Sequence, residues 1–461
     1  MISISSLRAH AVTFFCTTHY WMFKRVMAAI FNAEKAAVRA VEYEKMLKKQ
    51  LIKRLQELEN SGDAGEVAPT SIGEVGSEIA GGNIATKAKK RKFDFSSHPK
   101  RFVAFRFAYM GWNYNGLNFQ YEPTPLPTVE EEILLAMTKA KLVPEADPAS
   151  CNFSRCGRTD KGVSALNQVI SLDVRSSLSA EDQKIQLNDK KELPYLTILN
   201  ALLPPDIRIT AVCLRPPEGF DARFSCSYRH YKYIFKKADL NIDLMKDAAA
   251  RYEGPHDFRN FCKIDGSKQI TNHCREVYSA KIVHLHDDLY VFDLKGTAFL
   301  WHQVRCMVAV LFMAGQKLEL PSIVDDLLNI GKYPSKPVYE MANDIPLVLY
   351  DCVFPEMEWL NSADDFEGTQ KQKLAKEHGR FNAMLLDYQL KSSIAQMVES
   401  VFVKEFENES QHQDAGTINV GDGRGRNFKC YVPLSKRELG DTVETVNARH
   451  REKKQKKGEA N

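Results

Sequence analysis

The sequence predicts an α+β protein. Three observations carry that prediction. Several segments alternate apolar and polar side chains with period two. A few stretches read as amphipathic or wholly apolar helices. The two kinds follow one another without the regular alternation of a doubly wound sheet. Of the 461 residues, 44% are hydrophobic and 26% charged, and the formal net charge is +4. That composition excludes a wholly disordered or fibrous chain. No apolar run approaches the ~18 residues of a membrane span. With so mild a balance, any basic footprint has to be local. The ten cysteines include no CxxC pair, so free thiols are a better reading than a zinc site.

The elements follow in chain order. Residues 1–33 contain no Asp or Glu but carry Arg8, Lys24 and Arg25, which fits an organellar presequence or an unstructured leader. Leu47, Leu51, Leu55 and Leu58 trace one face of a helix expected over 33–59. Residues 1–60 are therefore taken as a leader and amphipathic helix. Residues 61–99 read as a disordered linker, Gly-rich and then basic, with Lys87, Lys89, Lys90, Arg91 and Lys92 near its end. That run is either a solvated tail or a nuclear-import or RNA-phosphate element.

Residues 100–355 form the dense globular region. Phe102–Tyr109 is strand-like, and Thr128 with Glu131 forms a capping box. Ile170, Leu172 and Val174 alternate with polar residues, as do Tyr231, Tyr233 and Phe235. Residues 276–286 and 289–295 predict a hairpin across Asp287-Asp288. An apolar helix is expected from about Trp301 to Ala314, with Gly315 as its C-cap. Residues 356–461 read as a helical extension, helical near 384–406, with a basic tail. The two halves of the globular region are expected to meet near 215–250.

Common catalytic signatures are absent: the sequence has no GxxxxGK[ST], HExxH or GxSxG. One feature is physically odd. Between Phe299 and Gly315 the only formal charge is Arg305. A guanidinium on so apolar a helix either reaches solvent or meets a carboxylate or phosphate in a cleft. The candidate carboxylate is Asp160, in Gly157-Arg158-Thr159-Asp160-Lys161-Gly162. As a bare tripeptide, Asp160-Lys161-Gly162 could be only a turn.

Gly157 to Ala165 resembles the catalytic motif of the TruA-type tRNA pseudouridine synthases. Further motifs follow in that family's order. Tyr109–Gly116 resembles its first strand and loop, and Asn200–Pro204 its Asn-x-x-Leu-Pro turn. Phe220–Phe224 with Arg229–Tyr233 resembles its second motif, Ala298–Arg305 its third, and Pro346–Leu349 its closing strand. Lys161 and Ser164 point to the eukaryotic branch. The extensions, with Tyr431-Val432-Pro433-Leu434 and Arg437, resemble the subgroup acting at positions 38 and 39 of the tRNA anticodon stem-loop.

The resemblance implies a pseudouridine synthase fold: two ferredoxin-like halves sharing a continuous antiparallel sheet around a central cleft. It implies an isomerase that detaches uracil from its ribose, turns it and rejoins it through carbon-5, without metal or organic cofactor. It implies a tRNA substrate, a homodimer, and location in the nucleus or cytoplasm, with mitochondrial targeting open through residues 1–33. By the same resemblance Asp160 is the catalytic carboxylate, as nucleophile at the sugar or as base at its 2′ side. Arg305 pairs with Asp160 and keeps it charged. Tyr231 stacks on the base and handles the carbon-5 proton. Arg158 holds the flipped nucleotide or its phosphate, and Leu347 walls the uracil pocket. Two other readings stay open: a tRNA-binding or tRNA-folding protein on the same scaffold, and a hydrolase that releases free base.

Overall fold

The computed structural model describes residues 93–361, 369–406 and 416–458. The expected leader, the helix at 33–59 and the linker as far as Lys92 lie outside the described residues. Two compact units divide the chain. One comprises Arg91–Phe119 and Leu126–Asn461; the other comprises Met1–Lys90 and Gln120–Pro125, and only its loop 120–125 is described.

The first half of the larger unit runs β1 (Lys100–Tyr109), α1 (Val129–Lys139), β2 (Ser154–Arg155), β3 (Ser164–Arg175), α2 (Tyr195–Leu202) and β4 (Ile207–Cys213). Val103, Phe105 and Phe107 of β1 are fully buried, as the alternation predicts. Thr128 caps α1, its hydroxyl accepting from Glu131 N at 3.2 Å. The strands lie in the order β4-β1-β3, with β2 on the far side of β3.

The second half repeats the pattern with β5 (Tyr228–Lys236), α3 (Ile242–Ala250), β6 (Gly254–Asp257), β7 (Cys274–His286), β8 (Leu289–Gly296), α4 (Gln303–Gly315), α5 (Ile323–Leu328) and β9 (Leu347–Val353). Its order is β9-β5-β8-β7, with β6 extending the edge. Each half is thus a β-α-β-β-α-β unit with its fourth, first, third and second strands side by side. The hairpin expected across Asp287-Asp288 is present, and Asp287 takes the positive φ (+47°) of its tight turn.

With β10 (Leu360–Asn361) on the outer edge, the halves form one ten-stranded sheet. Every pairing in it is antiparallel except the joint between the halves. There Ser164 and Ala165 of β3 run parallel to Val348 and Leu349 of β9. The continuous antiparallel sheet expected from the sequence therefore holds everywhere but at this seam. The reason is topological. The halves abut through unlike edge strands, the third of one and the fourth of the other, which point the same way. Further along, the same edge of β3 takes β2 instead, through Ser171 and Ile170. The loop between β2 and β3, residues 156–163, lies where β3 changes partners.

Helix α4 begins two residues later than expected, because His302 before it adopts a left-handed backbone (φ +62°). Gly315 remains helical and is not the cap; Lys317 takes the left-handed position instead. Twelve of the thirteen residues of α4 are buried, and the exception is Arg305.

After the sheet comes α6 (Thr369–Phe406), which starts well before the expected residue 384. The strands β11 (Thr417–Ile418) and β12 (Arg426–Asn427) and helix α7 (Val443–Gly458) follow. Residues 416–437 lie against the second half. The Gln316 side chain bonds Thr417 O and Asn419 N, and Asn343 N donates to Val420 O at 2.7 Å. Tyr431 Oη and Leu434 N both donate to Glu319.

Candidate active site

The loop carrying Asp160 is held at both ends. At its start, Gln168, fully buried on β3, accepts from Gly157 N at 3.4 Å and donates to Gly157 O at 3.1 Å. Arg229 of β5 donates to Cys156 O at 2.9 Å and to Thr297 O at 2.7 Å, tying the loop to the end of β8. In the middle, the Thr159 and Tyr109 hydroxyls lie 2.6 Å apart. At its end, Ser164 Oγ accepts from Gly111 N at 3.0 Å. Gly111 has no room for a side chain: a Cβ there would sit 2.0 Å from Val163 O. Asp160-Lys161-Gly162 is indeed a turn, closed by Val163 N to Asp160 O at 3.2 Å, and Gly162 supplies the positive φ (+82°). A turn does not exclude a reacting group, because the turn sets the direction in which the Asp160 carboxylate points.

Asp160 belongs to the first half, but its neighbours come from the second. Trp301 Nε1 donates to Asp160 Oδ1 at 3.1 Å. His302 Nε2 stands 3.4 Å from Oδ2. Burial pushes the Asp160 carboxyl above the ordinary range. The nearby Arg305 charge and the Trp301 bond oppose that rise without cancelling it. Burial also drives the His302 imidazole down to about 4, helped by the charges of Arg305 and Lys263. His302 is therefore neutral at pH 7 and forms no ion pair. The Nε2–H tautomer suits this geometry, since a bare Nε2 would face a carboxylate oxygen.

The direct pairing expected between Arg305 and Asp160 is not what the structure contains. Arg305 Nε donates to Ala342 O at 2.7 Å, and its nearest carboxylate is Asp344, at 4.0 Å. Its side chain is only 11% exposed, so it does not reach out to solvent either. It acts on Asp160 through space. The cause is the 342–344 loop, which backs α4 (Ala342 N to Arg305 O, 3.1 Å) and draws the guanidinium toward itself. The Asp344 carboxylate packs under the catalytic turn, where a Cβ on Gly162 would meet it at 3.0 Å.

Tyr231 sits on β5 in register with Leu349 of β9, which pairs in turn with Ala165 at the start of β3. Its ring meets Phe299 edge-on at 5.1 Å. Burial raises its phenol well above the usual value, so it stays protonated. Leu347, buried, opens β9, and its N–H closes a turn onto Asp344 O at 3.0 Å. Arg158 is exposed two residues before Asp160. Its pKa is lowered, first by desolvation and then by the like charges of Arg155 and Arg223. Arg155 is bonded to Glu130; Arg158 forms no ion pair among the described residues, and Glu130 and Asp265 act on its charge only through space.

Sequence reasoning passed over Trp301, His302, Lys263 and Asp344. The first two lie just ahead of Arg305 within a motif already noted, His302 at the left-handed position that precedes helix α4. Lys263 Nζ lies 4.8 Å over the Trp301 ring. No local sequence pattern ties residue 263 or 344 to residue 160. Among the described residues, no group of three or more His, Cys, Asp or Glu side chains is placed to hold a metal ion.

Comparisons with known proteins place the chain in a family. The family described as tRNA pseudouridine synthase matches residues 248–355. The chain is 51% identical over 439 residues to the tRNA pseudouridine(38/39) synthase of Saccharomyces cerevisiae, covering 94% of this chain and 97% of that one. It is 43% identical over 356 residues to the protein of the same name from Homo sapiens, covering 73% of each. A tRNA pseudouridine synthase A from Methanosarcina mazei is 33% identical over 231 residues, half of this chain and 77% of the other. The likeness is nearly end to end at high identity, and it bears out the resemblance carried by the motifs: this chain belongs to the family of tRNA pseudouridine(38/39) synthases.

Proposed function

We propose that the protein isomerises uridines 38 and 39 of the tRNA anticodon stem-loop to pseudouridine. The observation that carries this reading is one partly buried carboxylate, Asp160, aimed by a turn at the seam between two halves, with an aromatic, an imidazole and a guanidinium around it and Asp344 packed beneath the turn. Hydrolysis of a glycosidic bond typically uses two carboxylates, one of them to activate water. In an isomerisation the detached base is itself the attacking group. The C1′–N1 bond breaks with its electron pair staying on the uracil, the base turns within the site, C1′ bonds to C5, and the proton lost from C5 is balanced by one gained at N1. One carboxylate suffices, provided water is kept out. Asp160 is assigned as that group. Tyr231, protonated and in register across β9 from the start of β3, is assigned to the face of the base. Leu347 is assigned to the pocket wall, and Arg158 to the everted nucleotide or its phosphate. Eversion costs a few kcal/mol and is cheapest near a loop, which suits a target at the stem–loop border.

The relatives' names support tRNA as the partner, and the family resemblance alone supports a homodimer as the working form. Light scattering on the purified full chain reads the mass. Action in the nucleus or cytoplasm, or in mitochondria through residues 1–33, is part of the same proposal and is read by tagging the full chain. The decisive experiment maps pseudouridine in tRNA treated with wild type and with Asp160→Asn. Binding without product is expected of the variant, and product at the wild-type rate ends the assignment. Free uracil in place of pseudouridine would favour the hydrolase reading.

A further inference from the structure

The carboxylate of Asp160 has two oxygens, and consecutive residues of the second half meet both. Trp301 donates its indole N–H to Oδ1 at 3.1 Å, and His302 brings Nε2 to 3.4 Å from Oδ2. The backbone that presents them is specifically braced. Gln303 Oε1 accepts from Leu300 N at 2.8 Å, and Lys263 N donates to Trp301 O at 3.0 Å. His302 adopts a left-handed backbone, which costs a residue of this kind free energy and persists only where the surroundings enforce it. That conformation begins helix α4, with Cys306 N donating to His302 O at 3.0 Å. The imidazole is nearly enclosed, 10% exposed, and its Nδ1 is buried without a hydrogen-bond partner. A core histidine selected for packing would be expected to satisfy both ring nitrogens. Here one nitrogen is left unsatisfied while the other faces Asp160. Trp301 is 43% exposed, which contributes little burial for so large a side chain.

We propose that Trp301 and His302 are positioning residues that fix the rotamer of the Asp160 carboxylate from the opposite half of the molecule, Trp301 through Oδ1 and His302 through Oδ2. This rests on the reading of Asp160 as the reacting carboxylate. It assigns to Trp301 the direct hydrogen bond that sequence reasoning gave to Arg305. It also gives the division into two halves a consequence. A carboxylate gripped across the seam is correctly placed only when the halves are docked in register.

The test uses the full chain with tRNA and reads kcat, KM and their pH dependence. Trp301→Phe keeps the ring but removes the donor. His302→Asn tolerates the left-handed backbone yet is too short to reach Oδ2. Trp301→Phe is expected to lower kcat by roughly ten- to a hundredfold, the size of one lost hydrogen bond to a charged group, and His302→Asn, which removes a 3.4 Å polar contact, by several-fold, with KM unchanged in both. Removing the indole N–H removes a bond that favours the ionised carboxylate. The acid limb of the Trp301→Phe profile should therefore move to higher pH. Asp160→Asn is run in parallel. If that variant is inactive while Trp301→Phe and His302→Asn keep the wild-type kcat and pH profile, the positioning role is overturned and the reading of Asp160 stands. A loss confined to KM would equally overturn it, because it would place both residues in RNA binding. If Asp160→Asn turns over normally, both readings fall.

Discussion

Two carboxylates in the same half of this protein, Glu192 buried and Asp160 partly so, have opposite fates. Glu192 accepts from Arg101 Nη1 at 3.1 Å, Ser176 Oγ at 2.6 Å, Ser177 N at 2.9 Å and Leu193 N at 2.9 Å. Burial pushes its carboxyl up, but these donors together outweigh it and leave the group below its ordinary range. Its partner Arg101 is also fully engaged, bonding Asp189 at 2.8 Å and Leu214 O at 3.0 Å. Asp160 has the indole N–H at Oδ1, a neutral imidazole at Oδ2 and a guanidinium that bonds elsewhere, and burial wins. The difference separates structure from chemistry. A fully satisfied carboxylate holds the chain together and has no basicity to spare, whereas an under-satisfied one keeps the electron density that a reaction at C1′ or the 2′ side requires.

The sharpest way to break this comparison is to neutralise each group. Asp160→Asn should cost at least ~10³-fold in turnover, as loss of a reacting group does, without lowering stability at pH 7. The sign follows from linkage. A carboxyl raised by folding contributes stability that is present below its unfolded pKa and lost as pH rises through the folded value. At neutral pH the ionised group is therefore a net cost, which the amide removes. Glu192→Gln should do the reverse. It leaves Arg101 partly unpaired and should destabilise by ~3 kcal/mol. A carboxyl lowered by folding contributes stability above its unfolded pKa that is lost as pH falls through the folded value, so this variant should also flatten the acid side of the stability curve. Its turnover per folded molecule should match wild type. Urea melts between pH 3 and 8, with pseudouridine assays at pH 7, read all four outcomes. A Glu192→Gln enzyme that is folded but slow would mean that the two carboxylates are coupled.

Arg305→Leu comes next in size. Its charge reaches Asp160 through space, and its bond to Ala342 O holds the loop that carries Asp344. Turnover should fall by about a hundredfold, the range seen when one preorganised charge or donor is withdrawn. The acid limb should move upward, because a term that lowers the Asp160 pKa is gone. An unmoved limb would show that the guanidinium serves only the loop.

What could be read from sequence, and what could not, follows the same division. The alternation in Phe102–Tyr109, the Thr128 cap, the Asp287-Asp288 hairpin and the apolar helix at 303–315 are local patterns, and each is present. Arg305 stands out because it is alone on an apolar helix, whereas Asp160, by itself only a turn residue, is singled out through the family resemblance of the motif around it. Their expected pairing was not legible, because the competitor for the guanidinium, the 342–344 loop, arrives from nearly forty residues away. The parallel seam between β3 and β9 depends on how two halves dock, which no periodicity encodes. His302 was missed because a left-handed residue ahead of a helix leaves no mark in an apolar pattern.

A subtler perturbation is Gly111→Ala. The added methyl would strike Val163 O, and backbone cannot yield as a flexible side chain can. The turn carrying Asp160 must shift by a fraction of an ångström, and a misplacement of that order should cost about tenfold in kcat. Serine at this position should be no better, since the clash lies at Cβ. An unaffected kcat would mean that the loop adjusts freely and that its anchors are not rigid.

The smallest expected effect separates binding from chemistry. Arg158 is exposed beside the turn, with Arg155 and Arg223 close enough to lower its pKa and Glu130 and Asp265 opposing them only through space. A phosphate placed there would relieve the crowding of like charges by a direct, charge-assisted contact. Arg158→Ala should therefore weaken tRNA binding modestly and reduce the slope of log K against log salt by about 0.7–0.9, the value for one phosphate contact. Chemistry on bound tRNA, measured in a single turnover at saturating enzyme, should be unchanged. If the slope stays the same and the single-turnover rate falls, Arg158 acts on the everted nucleotide itself. The contrast between a satisfied first-half network and a charge-hungry seam would then extend to the guanidinium two residues before the carboxylate.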